Sequence, residues 1–397
     1  MRKKKKTGEL YVGGNKDKYV DLLGISDGDI EDYFLITNVE SLRNEKIVDI
    51  LIQLVDKNEI PMIVVDEFHK MHNVHSTQQG KALIKLQPEY RLAMTGTPML
   101  NTPLELYGIL RWLGIEKHSH YTFEKYYAVK GGYGGYEIIG YKHLEELEEQ
   151  LNSIMLRRKK EEVLDLPEKL YVDEYVDMLS AQATIYKEVK ADIQSNIDMI
   201  EISPNPLAEM IRLRQATGYT GILSTTVQES AKLDRLEEIV EESILNNHKV
   251  VIFSNWTSMT DAIYERLFPH EYGLKCITGE TANETRQKIV DAFQNTDMIR
   301  VLIGTIGAMG TGLTLTAGTV VVFMDHPWNK ALYEQAVDRC HRIGQKNKIT
   351  IYNIMCKGTI DEKIWTLVKK KGAMSDMIVD GNIAEDSKKE LIDYLLS

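Results

Sequence analysis

Short apolar runs, each flanked by a stretch that reads as helix, narrow the choice of fold for this chain more than any other feature. In the second half they fall at His248 to Phe253, Leu274 to Thr278, Val301 to Thr305, Val320 to Met324 and Ile349 to Ile354. Runs of this length without polar alternation suit strands covered on both faces, the signature of parallel strands joined by crossover helices. One such helix is marked by Leu233, Leu236, Ile239, Val240 and Ile244, an apolar face beginning near Ala231. The segment to about Leu166 repeats the rhythm, with Tyr33 to Thr37, Pro61 to Val65 and Arg91 to Thr95 as strands and Asn44 to Val55 and Leu104 to Leu113 as helices. The predicted fold class is α/β with parallel sheets. Between the two halves, Ser180 to Ser230 reads as mainly helical, broken at Pro204-Asn205-Pro206.

Ligand chemistry in open parallel sheets sits at the carboxyl ends of strands. Met62-Ile63-Val64-Val65 suits a buried strand and ends abruptly in Asp66-Glu67, followed by Phe68-His69. Asp66 is placed to hold the magnesium of a nucleotide, directly or through its waters. Glu67 is placed to orient and polarise an attacking water, and His69 to report on the site to its neighbours.

Tyr333 to Gln345 carries a second signal. Read as a helix running up to Gly344, it puts Gln335, Arg339 and Arg342 on one face. Arginine stays charged at any working pH and presents a planar fork of donors, so a pair suits a developing phosphoryl charge, with ATP the obvious candidate. Two arginines alone suit a solvated basic turn of a surface helix better, and the other motifs of the chain reverse that preference.

Taken together, the motifs resemble those of the Swi/Snf-type DNA-dependent ATPases of helicase superfamily two, and the resemblance covers most of the chain. Asp66-Glu67-Phe68-His69 resembles the family's second motif and Thr95-Gly96-Thr97-Pro98-Met99-Leu100-Asn101 its third. Leu156-Arg157-Arg158-Lys159-Lys160 with Leu166-Pro167-Glu168-Lys169 is similar to the stretch leading into the second lobe. Val250 to Trp256 looks like the fourth motif, and Gly279, Arg286 and Phe293 are spaced as in the element after it. Thr305 to Leu315 resembles the fifth motif and Gln335 to Gln345 the sixth.

The resemblance implies two RecA-like parallel-sheet lobes, the first incomplete, joined by a helical connector. Residues 1–166 would form the first lobe, 167–230 the connector, 231–368 the second lobe and 369–397 a tail. It implies ATP and Mg2+ as cofactors, double-stranded DNA as partner, and ATP hydrolysis coupled to movement along the duplex. Asp66, Glu67, Gln335, Arg339 and Arg342 would be catalytic, while Asp66, His69, Gly310 and Gly312 would face the nucleotide. Thr95, Thr97, Thr305 and Thr314 would approach the sugar-phosphate backbone, and Arg157 and Arg158 would neutralise phosphates. Where the family has a second small residue this chain has Met309, whose bulk bears on the geometry of that loop.

A further departure concerns the family's first motif, a glycine-rich loop ending in Gly-Lys-Thr or Gly-Lys-Ser that cradles phosphate. Gly80-Lys81-Ala82 lacks the hydroxyl residue and follows the second motif, and Gly13-Gly14-Asn15-Lys16 has no Ser or Thr after its lysine. The expectation is an N-terminally truncated or split member with little ATPase activity by itself. The alternatives are a fragment, one half of a pair whose other chain supplies the front, and a nucleic-acid-binding remnant without hydrolysis.

Composition adds exclusions. Three cysteines, Cys276, Cys340 and Cys356, have no metal spacing, and Cys340 reads as a small buried side chain. His69, His72 and His75 recur every third residue, a period that does not converge on a metal. No apolar run approaches a membrane span, and the expected location is the cytoplasm of a bacterium or of a virus-infected host cell. A net charge of −11 requires any DNA contact to be local.

Overall fold

The computed structural model describes residues 3–5, 8–10, 34–71, 73–96, 98–99, 102–131, 133–135, 137–158, 160–195, 207–310, 312–369 and 394–396. Thr97, His72, the Pro204-Asn205-Pro206 break and nearly all of the tail after Lys369 lie outside the described residues. The chain divides into two units, Met1–Arg157 and Arg158–Ser397.

In the first unit, β1 (Lys3–Lys5), β2 (Gly8–Leu10) and β3 (Leu35–Ile36) form one small sheet, and β4 (Met62–Val65) pairs in parallel with β5 (Tyr90–Ala93) in another. Helix Glu45–Asp56 starts at Asn44, whose side chain accepts the Lys46 N–H, a cap that satisfies one of the orphan donors of a helix start. Its apolar stripe, Ile47, Val48, Ile50, Leu51, Leu54 and Val55, is buried. That core continues through Val65, Phe68 and Leu83 to Leu110 and Trp112 of helix Leu106–Trp112.

Against expectation, β4 is not buried on both faces. Val65 is buried, but Met62 and Val64 are 48% and 47% exposed, and Tyr90 and Leu92 of β5 are 58% and 43% exposed. Alternate residues of a strand point to opposite faces, and among the described residues apolar packing covers one face of this pair only. Farther on, β6 (Ala128–Gly131) and β7 (Glu137–Tyr141) form an antiparallel hairpin whose connection passes through Gly134 and Gly135, both at positive φ.

The second unit is built on six parallel strands in the order β10-β11-β9-β12-β13-β8. These are β8 (Lys169–Val176), β9 (Lys249–Ser254), β10 (Leu274–Ile277), β11 (Val301–Thr305), β12 (Gly318–Phe323) and β13 (Ile349–Cys356). All five runs expected as strands in this half are strands. Their side chains alternate between two cores: Val251, Phe253, Leu302, Val321 and Phe323 on one face, Val250, Ile252, Val301, Ile303 and Val322 on the other. Burial on both faces is why these runs lack polar alternation. The 167–230 stretch departs from a purely helical reading at its start, where β8 pairs along its whole length with β13. Its Tyr171, Asp173 and Tyr175 disguise an edge strand, half-covered on each face.

Candidate functional site

Asp66 and Glu67 stand immediately past the carboxyl end of β4. The ladder holds them there: the Met94 N–H donates to the Val65 carbonyl at 2.8 Å and the Phe68 N–H to the Met94 carbonyl at 3.0 Å. Asp66 is exposed, and its Oδ1 accepts the Glu67 N–H at 2.9 Å. Glu67 adopts φ +51°, a left-handed conformation that costs a residue with a Cβ about 1–2 kcal/mol. Its Oε2 lies 3.2 Å from His69 Nδ1, which is also 3.1 Å from Thr95 Oγ1. One ring nitrogen therefore faces both the acid and the threonine.

A nucleotide-bound magnesium keeps several waters and takes one or two carboxylates beside phosphate oxygens. An exposed carboxylate at a strand end fits that requirement, and Asp66 is the residue that would hold the ion. The neighbouring histidines go separate ways: His69 engages Glu67 and Thr95, while His75 stacks on His120 with ring centroids 3.7 Å apart.

In the second unit, Thr305, Gly310, Gly312 and Thr314 lie in or beside the loop after β11, and Arg339 and Arg342 contact it. Thr305 ends the strand and precedes the short helix Ile306–Met309, and Gly310 closes it. Gly312 has φ +71°, which a glycine adopts without penalty, and is exposed. With Thr314 it borders a cleft of about 350 Å³ whose other wall is helix Asn283–Asn295, through Gln287, Asp291 and Gln294. The bulk of Met309 is absorbed in the core: its side chain is fully buried, and its sulfur occupies space beside Gly304 that a Cβ there would enter at 2.8 Å.

The arginine segment corrects the sequence reading. Helix Lys330–Val337 stops well short of Gly344, so only Gln335 is helical, and Arg339 and Arg342 lie in turns. The cause is tertiary. The Arg339 carbonyl accepts the Leu315 N–H at 2.8 Å instead of continuing the helical ladder, the Arg339 and Cys340 N–H groups bond three residues back, and Gly344 takes φ +104°. Arg342 Nη1 donates to the Leu313 carbonyl at 3.3 Å. Both arginines are thereby held against the loop that contains Gly312 and Thr314. Cys340 is fully buried, which pushes its thiol up to about 12. Arg157 and Arg158 are exposed and mark the division between the units.

A buried polar layer beyond the carboxyl ends of β9 and β12 escaped the sequence reading. Asp325 receives the Ser254 hydroxyl at 2.5 Å, the Asn255 N–H at 2.8 Å and the Asn255 side-chain amide. Arg214, from helix Leu207–Gly218, lies 3.8 Å from Asp325, donates to the His326 carbonyl, and is sandwiched by Trp256 and Trp328 at 4.6 and 5.0 Å. Burial pushes the Asp325 carboxyl up, opposed by Arg214 and the hydrogen bonds. His326 donates from Nε2 to Asn353 Oδ1 at 3.1 Å and is driven down to about 3, mainly by burial. Lys232 pairs with Asp361 at 2.6 Å. A usable signal did exist: Lys232 stands one helical turn before Leu236, on the stripe otherwise reserved for apolar residues.

Two family models match the chain, the SNF2-related domain over residues 30–225 and the helicase conserved C-terminal domain over residues 231–344. The chain belongs to the SNF2 family. An uncharacterized ATP-dependent helicase of Mycoplasma pneumoniae is 28% identical over 90% of this chain and 34% of its own length. An inferred ATP-dependent helicase/translocase of Bacillus subtilis is 30% identical over 83% of this chain and 37% of its own. The chain thus spans about a third of the length of these curated relatives. Among solved structures, the Sulfolobus solfataricus SWI2/SNF2 ATPase core in complex with double-stranded DNA is 26% identical, with a TM-score of 0.50, over 88% of this chain and 76% of that one. Within the SNF2 frame, the strand-end acids fall in the first matched domain and the arginine turn in the second. The parallel sheet of the second unit is that of a RecA-like lobe.

Proposed function

We propose that this chain carries catalytic parts of an SNF2-type ATPase that couples ATP hydrolysis to movement along double-stranded DNA. The observation that supports it most is the arginine turn: Arg342 held by its guanidinium and Arg339 by its backbone carbonyl against the loop of Gly312 and Thr314, at the carboxyl edge of a parallel sheet. Magnesium, held by Asp66, would neutralise phosphate charge. Glu67 orients the attacking water, and its contact with His69 and Thr95 passes the state of the nucleotide to residues near DNA. The arginines stabilise charge on the transferred phosphoryl group, a contribution of about three to five orders of magnitude in other systems. Thr95, Thr97, Thr305 and Thr314 contact the sugar-phosphate backbone, and Arg157 and Arg158 add phosphate neutralisation.

The 397 residues contain no Gly-Lys-Thr or Gly-Lys-Ser loop, so the chain as given is proposed to bind DNA and to hydrolyse ATP slowly. The test is ATP hydrolysis and duplex binding by the pure chain, with Glu67→Gln and Arg342→Ala alongside. Salt-sensitive DNA binding with low turnover is expected. Rapid turnover abolished by either substitution would overturn the loop argument while upholding the ATPase reading, and absence of DNA binding at low salt would sink the translocase reading.

A further inference from the structure

Gln345 is 6% exposed, and its carboxamide faces backbone from two segments. Nε2 lies 2.9 Å from the Thr316 carbonyl, 3.2 Å from that of Gly318 and 3.1 Å from that of Cys340. Oε1 accepts the Asn347 N–H at 3.0 Å. Two amide hydrogens thus serve three carbonyls, one in the loop after β11, one at the start of β12 and one in the arginine turn. No apolar side chain could satisfy those carbonyls, and a carboxylate would repel them.

The contacts around this clasp all bear on where Arg339 and Arg342 stand. The Leu315 N–H donates to the Arg339 carbonyl, Arg342 donates to the Leu313 carbonyl, and the Gly318 N–H closes onto the Leu315 carbonyl at 2.9 Å. Cys340, whose carbonyl Gln345 holds, directly follows Arg339. On its other side the same loop is held by Gln294, which accepts the Ala317 N–H at 2.7 Å and donates to Thr316 Oγ1 at 2.9 Å. Two carboxamides therefore grip one loop, but only that of Gln345 also grips the turn.

We propose that Gln345 is a positioning residue: its side-chain amide locks the turn bearing Arg339 and Arg342 to the 313–318 loop, so that both guanidinium groups are pre-placed before any nucleotide arrives. The purpose of that placement rests on the ATPase reading; the lock itself does not. An arginine that must find its place during each cycle loses the advantage of preorganisation, because ordering it then draws on the energy meant for the transition state.

The experiment is solution NMR of the full chain labelled with ¹⁵N-arginine, together with amide hydrogen exchange, without nucleotide. Wild type is compared with Gln345→Met, Gln345→Glu and, as the control for general loosening of the loop, Gln294→Met. Thermal melting identifies any variant that fails to fold, and Gln345→Asn then stands in for it. The expected result is displaced or broadened Arg339 and Arg342 side-chain signals in the Gln345 variants, exchange at the Leu315 amide faster by about tenfold or more, and unchanged signals for Arg235 and Arg266. Gln294→Met should leave the two arginine signals in place. Wild-type arginine signals in the Gln345 variants, or equal displacement by Gln294→Met, would overturn the proposal. Since no nucleotide is used, a chain that proves unable to hydrolyse ATP fails the ATPase reading alone and leaves this test readable.

Discussion

Lys232 and Asp361 form an ion pair 2.6 Å long with side chains only 1% and 5% exposed, joining the start of helix Ala231–Leu245 to helix Ile360–Lys369. Lys232 also donates to the Met324 carbonyl at 2.9 Å, and Asp361 accepts the Thr217 hydroxyl and the Cys356 N–H. Residues from five places in the chain, Thr217, Lys232, Met324, Cys356 and Asp361, thus meet at one pair of charges. A buried pair contributes little net stability against apolar replacements, but removing one partner strands the other charge in a low-dielectric site.

Lys232→Met is therefore expected to destabilise the second unit by about 3–5 kcal/mol, read from the midpoint of urea unfolding. Adding Asp361→Asn removes the stranded charge and keeps the Thr217 contact possible, so the double variant should recover a good part of that loss. Additive losses would show that the pair is not coupled.

His326 yields a pH dependence with a definite sign. Burial takes its folded-state value to about 3, far below the usual histidine range, so the folded protein holds it neutral while the unfolded chain takes up a proton near pH 6.5. Its contribution is fully present above pH 6.5 and is lost as the pH falls toward 3, at about 1.4 kcal/mol per unit. Unfolding midpoints at pH 7.5, 6 and 5 should fall more steeply for wild type than for His326→Asn; parallel falls would contradict the assignment.

Glu67 sits in a left-handed conformation that glycine tolerates better. Glu67→Gly should leave the melting temperature of the chain unchanged or raise it, whereas Glu67→Gln should keep the strain and lose the negative charge that His69 contacts at 3.2 Å. Both substitutions should abolish whatever hydrolysis the chain supports. Clear destabilisation by Glu67→Gly would show that the carboxylate, not the turn, is what that position needs for folding.

The second-unit sheet was legible because strands buried on both faces leave uninterrupted apolar runs, as in Val301 to Thr305 and Val320 to Met324. Asp66 and Glu67 were legible because a strand end is a fixed place, and the ladder from Val65 to Met94 puts them there. The face holding Arg339 and Arg342 was not, since periodicity extends a helix until something in the sequence stops it. Here the stop comes from Leu315 and Gln345, bonds that local pattern does not encode. The polar layer of Arg214, Asp325, His326 and Asn353 was hidden for a similar reason. Each residue alone looks like surface, and only the packing of distant segments makes them neighbours. The exposed face of β4 was misjudged because Met62 and Val64 have the composition of buried strand residues whether or not anything covers them.

Arg342 offers the sharpest functional test, because its guanidinium touches the loop through one backbone carbonyl, Leu313, at 3.3 Å, and its removal leaves the rest of the turn intact. The Leu315 to Arg339 bond and the Gln345 clasp do not involve its side chain. Arg342→Ala should therefore fold with a melting temperature within a few degrees of wild type. Joined to a segment that provides a Gly-Lys-Thr loop, so that turnover is measurable, the chain should lose at least about a thousandfold in kcat with this change, the range in which inserted arginines act on phosphoryl transfer. Arg342→Lys should recover little, since an ammonium restores the charge without the planar fork. KM for ATP should move much less than kcat, because the arginine is asked to act on the transition state more than on the bound nucleotide. A loss confined to KM would assign Arg342 to ground-state binding, and an unchanged kcat would remove it from the catalytic centre.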